Sequence, residues 1–138
     1  MRVVIDTNIF VSALFFGGLP QKILSPIEQE KVIPCFSFET FEELYLILNS
    51  EKFVELRSAL NFTIFDFLEK LKLHSLFFAI PAKPPNIIKE NKADNFFLSC
   101  ALASNAKYIV SGDQHLLTLK SFQKIPILTL REFLNKQS

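Results

Sequence analysis

The start of the chain constrains the fold most strongly, because an apolar run ends abruptly at an acid. Val3, Val4 and Ile5 are consecutive and β-branched, and Asp6 follows them directly. Such a run is typical of a strand that is buried on both faces, in a parallel sheet covered by helices. An acid at the end of this strand lies at the edge where open α/β folds bind ligands. Taken alone, Asp6-Thr7-Asn8 fits a helix cap equally well.

Along the rest of the chain, patterns typical of strands alternate with patterns typical of helices. Further strands are predicted at 32–36, 76–80, 107–110 and 125–128, and the apolar residues between them recur at helical spacing. This alternation predicts a three-layer α/β/α fold with a central parallel sheet of five strands. We expect a single domain over 1–138, with a helical excursion at about 50–74 and a short helix over 116–122.

Composition excludes little. The chain has 15 basic and 14 acidic residues and a formal net charge of +1, so any binding of nucleic acid has to come from a local patch. Cys35 and Cys100 stand in apolar runs without ligand-like spacing and are predicted to be core thiols. No apolar run approaches the length of a membrane span, and no signal-peptide pattern is present. We therefore expect a cytoplasmic protein without a membrane partner.

Four acids are predicted to meet at one edge of the sheet. In a parallel sheet each crossover helix begins where the preceding strand ends. Asp6 and Asp113 end predicted strands, Asp94 opens the helix before the Asp113 strand, and Glu43 lies early in the helix after the second strand. Each acid alone also fits a helix cap or a turn residue. Their joint placement favours a functional site.

A cluster of carboxylates needs a cation. Two carboxylates about 4 Å apart repel by roughly 4 kcal/mol at an effective dielectric constant near 20. Ligands that are all oxygen favour Mg²⁺ or Mn²⁺ over zinc. Such an ion activates water and stabilises the charge that develops during hydrolysis of a phosphodiester. The residues therefore predict a metal-dependent nuclease.

These motifs resemble those of the PIN domain family over nearly the whole chain. The similar segments are Val3–Asn8, Glu42–Leu44, Ala93–Leu98 and Tyr108–Asp113. The chain is most similar to stand-alone prokaryotic PIN proteins, the VapC-type ribonuclease toxins of toxin-antitoxin modules. The resemblance implies a strand order of 3-2-1-4-5, dependence on Mg²⁺ or Mn²⁺, and endonucleolytic cleavage of RNA. It also implies an antitoxin partner and a homodimer.

The resemblance assigns roles residue by residue. It makes Asp6, Glu43, Asp94 and Asp113 the catalytic and metal-binding acids, with Asn8 and Ser111 as supporting hydrogen-bonding residues. Glu42 is the alternative to Glu43, but the family register favours Glu43, and helical geometry places Glu43 farther from the apolar face.

The chain departs from the family pattern at two places. Relatives often have acids where this chain has Asn91-Lys92-Ala93, and an aspartate where it has His115. The number of metal ions, one or two, therefore stays open. His115 either binds phosphate when it is protonated or has no role.

Three functions remain in competition. The first is a metal-dependent ribonuclease, acting alone or as a toxin held by an antitoxin. The second is a catalytically weak PIN-fold module for nucleic-acid binding or assembly, which the two departures keep open. The third is a phosphatase or phosphotransferase that uses Asp6 as nucleophile. It is disfavoured because no second aspartate follows two residues after Asp6.

Overall fold

The computed structural model describes residues 1–83, 86–88 and 93–137 and contains a six-stranded sheet. Its strand order is β3-β2-β1-β4-β6-β5, and every neighbouring pair is parallel except β5 with β6. The strands are β1 (Arg2–Ile5), β2 (Ile33–Phe36), β3 (Leu76–Phe77), β4 (Tyr108–Val110), β5 (Ser121–Phe122) and β6 (Ile125–Leu128). The predicted α/β class is therefore confirmed, and the sheet is parallel as predicted except at the β5–β6 pair.

The predicted count of five strands is wrong by one. The helix expected over 116–122 ends early, as α8 (Gln114–Leu117), and β5 follows it. Gln123 and Lys124 adopt left-handed φ angles of 49° and 69° and join β5 to β6 in an antiparallel hairpin. Two-residue hairpin turns with positive φ usually contain glycine or asparagine, so this sequence carries no turn signal. The remaining strands follow the predicted order, with β6 in the fifth position.

Helices cover both faces of the sheet. Besides α8 they are α1 (Thr7–Phe15), α2 (Gly18–Gln21), α3 (Leu24–Glu28), α4 (Phe38–Leu48), α5 (Val54–Ser58), α6 (Ile64–Leu73), α7 (Asp94–Ser104) and α9 (Leu130–Gln137). The stretch at about 50–74 holds a 3₁₀ helix (Glu51–Phe53) together with α5 and α6. Among the described helices none has by itself the length and apolar composition to cross a membrane; Thr7–Phe15 and Gly18–Glu28 pass that test only as a pair bent by 101°.

The alternating side chains of β1 connect two hydrophobic cores. Val3 and Ile5 pack with buried residues of α1, α4, α6 and α9, whereas Val4 packs with buried residues of α7, β4 and α8. Successive side chains of a strand point to opposite faces of its sheet, so β1 is buried on both sides, as predicted. Both cysteines are buried, also as predicted. The expectation of a single domain over 1–138 stays a prediction.

The ends of the parallel strands form one edge, which we call the carboxyl edge. The Asp6 N–H donates to the carbonyl oxygen of Val110 at 2.9 Å, and the Ser111 N–H donates to that of Leu128 at the same distance. These bonds extend the β1–β4–β6 ladder one residue beyond the strands and fix where Asp6 and Ser111 lie. Helices α1, α4 and α8 follow strands β1, β2 and β4 at this edge.

The packing of α7 against the sheet predicts unequal effects for two leucines of the same helix. Leu98 is completely buried and Leu102 is 45% exposed. We expect Leu98→Ala to lower the free energy of unfolding by about 2–5 kcal/mol, because it leaves a cavity in the core. Leu102→Ala, the matched control, should change it by less than about 0.5 kcal/mol. Urea denaturation followed by circular dichroism measures both values, and equal losses would contradict this placement of α7.

Candidate metal centre

Asp6 sits at the junction of β1 and α1, where the structure buries its carboxylate. It occupies the N-cap position of α1 in extended conformation and is only 6% exposed. The Ser111 hydroxyl donates to Asp6 Oδ2 at 2.7 Å and accepts the Asp113 N–H at 2.9 Å. Ser111, itself fully buried, therefore connects two of the predicted acids.

Burial raises the pKa of Asp6 above its ordinary value. The hydrogen bonds from Ser111 and from the backbone of Asn8 and Thr7 lower that pKa, and the negative charge of Asp113 raises it. The α1 N-terminus is also favourable to an anion. The surroundings of Asp6 thus stabilise its charge only in part.

Glu43 reaches the same edge from α4, whose start is fixed by a capping box between Ser37 and Thr40. The Thr7 hydroxyl donates to Glu43 Oε2 at 2.6 Å. Burial raises the pKa of Glu43, the Thr7 hydrogen bond lowers it, and the charge of Asp6 raises it. Glu42, in contrast, is exposed. The structure therefore brings Glu43 to the acidic group and leaves Glu42 in solvent.

Within the part of the chain that the structure describes, Asp94 is the acid with the fewest compensating contacts. It is the first residue of α7 and is 4% exposed, and its Oδ2 has no hydrogen-bond partner. Burial raises its pKa from 3.8 to about 7, helped by the negative charges of Asp113, Asp6 and Glu43 in that order, while His115 acts in the opposite direction. The other three predicted acids therefore all act on Asp94.

Asp113 caps the short helix α8 and brings a histidine to the acids. Its Oδ1 accepts the His115 backbone N–H at 2.7 Å, and the His115 Nδ1 lies 3.6 Å from that oxygen. One ligand atom from each of Asp94, Asp113 and His115 can be chosen so that all lie within 4.8 Å of one another. Of the departures noted in the sequence, His115 and Ala93 are described, and Asn91 and Lys92 lie outside the described residues.

Asp6 and Asp113 line a cleft that is also lined by a basic side chain. The cleft has a volume of about 450 Å³, and its lining includes Asp6, Asn8, Ser111, Asp113 and Arg131. Asn8 is exposed there. Arg131 is not predicted from the sequence, although it comes three residues after the end of β6 and therefore belongs to the carboxyl edge. Thr7 is predicted only as part of a cap, and its hydrogen bond to Glu43 is not.

The residues present fit a divalent cation. The described carboxyl edge offers carboxylate oxygens from Asp6, Asp94 and Asp113, and the buried Asp94 Oδ2 has unused acceptor capacity that faces negative charge. A buried carboxylate without a donor is costly unless a cation or water satisfies it. Oxygen ligands of this kind suit Mg²⁺ or Mn²⁺. Among the described residues, Asp94 and Asp113 have ligand atoms close together with one of His115 and would fit such an ion, and Asp6 and Glu43 lie near Asp94.

The chain matches known proteins in sequence and in structure. It is 31% identical over 130 residues to uncharacterized protein MJ1680 of Methanocaldococcus jannaschii, covering 90% of this chain and 78% of that protein. VapBC2 from Rickettsia felis, solved bound to a DNA fragment from its promoter, superimposes with a TM-score of 0.60 at 17% identity, covering 94% of this chain and 98% of the other. PAE2754 from Pyrobaculum aerophilum gives a TM-score of 0.60 at 14% identity over 99% and 88% of the two chains.

The two structural matches share the fold of this chain at low sequence identity. The family assignment comes from the sequence, since the family model described as the PIN domain matches residues 2–115, which include all four acids, Ser111 and His115. PIN domains are generally nucleases that use divalent metals. The chain therefore belongs to the PIN domain family.

Proposed function

We propose that this protein is an Mg²⁺- or Mn²⁺-dependent endoribonuclease that hydrolyses phosphodiester bonds of RNA in the cytoplasm. The observation that carries the proposal is the unpartnered oxygen of Asp94, buried among three other carboxylates. A group of acids this close is unfavourable when the site is empty and becomes favourable when a cation binds. Membership of the PIN domain family supports nuclease activity.

The roles of the site residues follow from their contacts. Asp6, Asp94 and Asp113 hold the cation, and Ser111 fixes the orientation of Asp6 through the 2.7 Å hydrogen bond. Glu43, held by Thr7, adds negative charge beside Asp6, and burial raises its pKa. Asn8 lines the cleft where substrate enters. When bound, a divalent cation activates water and offsets charge on the phosphodiester.

Two exposed basic residues supply the local positive patch that the net charge does not. Arg131 lines the cleft beside the acids, and together with Lys22 it lines an adjoining cavity of about 520 Å³. No ion pair within the described part of the chain involves either residue. Contacts to phosphates position a nucleic acid without reading its sequence. We assign to Arg131 and Lys22 the positioning of the RNA backbone across the carboxyl edge.

A toxin-antitoxin setting is part of the proposal. VapBC2 of Rickettsia felis was solved on DNA from its own promoter, and it shares the fold of this chain. By this analogy an antitoxin protein is the expected partner. The second expected partner is another copy of this chain, in a homodimer. Phe16, Phe38 and Phe65 are each more than 60% exposed and offer apolar surface for contact with the antitoxin or with the second copy.

A second candidate function is a catalytically weak PIN-fold module for nucleic-acid binding or assembly. It is favoured by His115, which replaces an expected acid and faces Asp94 and Asp113. Such a module would keep the affinity for RNA that Arg131 and Lys22 provide and would lack metal-dependent cleavage.

Cleavage assays on charge-neutral variants separate the two functions. We expect Asp6→Asn and Asp94→Asn to lower the rate of Mg²⁺- or Mn²⁺-dependent RNA cleavage by about 10²–10³-fold, because each removes charge that stabilises the reaction. Asp66→Asn changes the exposed aspartate of α6 and should leave the rate unchanged. Cleavage of a labelled RNA, resolved on denaturing gels with and without EDTA, measures all four proteins. Wild-type RNA binding without cleavage would support the weak module.

The raised pKa values predict an unusual pH dependence for the metal-free protein. The folded pKa of Asp94 is about 7, against 3.8 in the unfolded chain, and those of Asp6 and Glu43 are raised too. At pH values between these two pKa values, the folded state binds more protons than the unfolded state. The free energy of unfolding is therefore highest at the low-pH end of this range and decreases as the pH rises through about 7. Urea denaturation in EDTA should show this fall.

Asp94→Asn should flatten that pH profile, and it should make the metal-free protein more stable than the wild type at about pH 8. Asp66→Asn is the matched control and should keep the wild-type slope. A wild-type stability that rises from about pH 5 to pH 8 in EDTA would contradict the charge repulsion inferred here.

The basic patch predicts a binding defect. We expect Arg131→Gln to weaken RNA binding by several-fold and to reduce its salt dependence, since one phosphate contact is lost. Lys107→Gln is the control, because Lys107 is exposed just before β4, at the opposite edge of the sheet. Fluorescence anisotropy with a labelled single-stranded RNA at two salt concentrations gives both quantities. Equal RNA affinities of the two variants would show that Arg131 does not contact the RNA.

A further inference from the structure

We propose that His115 is a direct ligand of a metal ion shared with Asp94 and Asp113, and that its imidazole shifts the preference of the site from Mg²⁺ towards Mn²⁺. The proposal rests on the proposed metal-dependent function and adds to it a specific nitrogen ligand. The site predicted from the sequence has only oxygen ligands, and it would lack this preference for Mn²⁺ over Mg²⁺.

The first support is the arrangement of the three side chains. The His115 Nδ1 lies 3.6 Å from Asp113 Oδ1, which is too long for a hydrogen bond. Adjacent ligands of a divalent ion with bonds of about 2.1 Å are separated by roughly 3 Å, so a small rotation of the exposed imidazole suffices. Asp94 completes a set of three ligand atoms within 4.8 Å of one another.

The second support is independent of His115. Asp94 is 4% exposed, and its Oδ2 lacks any hydrogen-bond partner. That oxygen belongs to the residue whose pKa is affected by Asp113, Asp6, Glu43 and His115 together. An unpartnered buried acceptor beside these groups is satisfied by a cation, and none of the four neighbouring side chains donates to it.

The third support is how the fold fixes His115. The Asp113 carboxylate accepts the His115 backbone N–H at 2.7 Å, which holds the first turn of α8 against the acids. Leu116, fully buried in the second core, anchors that turn on its other side. The imidazole therefore starts from a fixed backbone position next to Asp113, and a carboxylate keeps acceptor capacity beyond one hydrogen bond.

The chemistry of the ligand determines selectivity. Imidazole binds transition-metal ions well, whereas Mg²⁺ strongly prefers oxygen ligands and water. A neutral imidazole in place of an aspartate also adds no negative charge to a site in which the carboxylates already repel one another. We therefore expect His115 to increase the affinity for Mn²⁺ relative to Mg²⁺. A protonated His115 that contacts only Asp113 or a substrate phosphate is the competing arrangement.

The test uses Mn²⁺ as the probe with the full chain. The chain has two histidines, so His74→Gln is the matched control for His115→Gln. We expect electron spin-echo envelope modulation of the Mn²⁺-bound wild type to show coupling to an imidazole nitrogen. The coupling should persist in His74→Gln and disappear in His115→Gln and in His115→Asp. Thermal denaturation checks that each variant folds.

Affinity measurements complete the test. Titration calorimetry with Mn²⁺ and with Mg²⁺ should show that the ratio of their affinities falls by about tenfold in His115→Asp, which replaces a nitrogen ligand by an oxygen ligand. Mn²⁺ binding without nitrogen coupling, or with an unchanged affinity ratio, would overturn this inference and leave the proposed nuclease standing. Absence of any Mn²⁺ or Mg²⁺ binding to the wild type would overturn the proposed function itself.

Discussion

Repulsion among the carboxylates at the carboxyl edge is the constraint on which the rest of the structure depends. Two such charges about 4 Å apart repel by roughly 4 kcal/mol at an effective dielectric constant near 20. A helix N-terminus offsets about 0.3–1 kcal/mol of this repulsion, and a hydrogen bond to a charged group offsets about 1.5–3 kcal/mol. Asp6 receives both kinds of help and Glu43 has the Thr7 hydroxyl, whereas Asp94, among the described contacts, has the start of α7. The described residues leave this charge incompletely compensated, and a divalent cation would complete the compensation.

The sheet creates this situation by making β1 and β4 neighbours. Ile5 pairs with Val110, so Asp6 and Ser111, one residue farther along each strand, lie side by side. Ser111 then joins Asp6 to the backbone of Asp113 through one hydroxyl group. The two cores on either face hold these strands in register, because a slip by one residue would move Val3 and Ile5 to the face where Val4 now packs. Stability of the fold and geometry of the site therefore come from the same few contacts.

Much of this arrangement is predictable from the sequence, because its causes are local. A buried strand that ends in an acid, repeated at Asp6 and Asp113, indicates the carboxyl edge, and topology adds Asp94 and Glu43. The β5–β6 hairpin could not be predicted, since Gln123 and Lys124 adopt left-handed angles that their residue types do not favour. Arg131 and His115 were not predicted to lie beside the acids. The position of Arg131 just after β6 places it at the carboxyl edge, but no motif distinguishes it. The proximity of His115 to Asp94 and Asp113 depends on how the short helix α8 packs, which periodicity does not show.

Anomalous scattering from crystals grown with Mn²⁺ tests the central claim most directly, because it locates the ion without reference to activity. We expect an anomalous difference peak at the carboxyl edge, within bonding distance of carboxylate oxygens of Asp94 and Asp113 and beside Asp6. A map with no peak there at saturating Mn²⁺, or with Asp94 Oδ2 bonded to a protein donor in place of an ion, would contradict it.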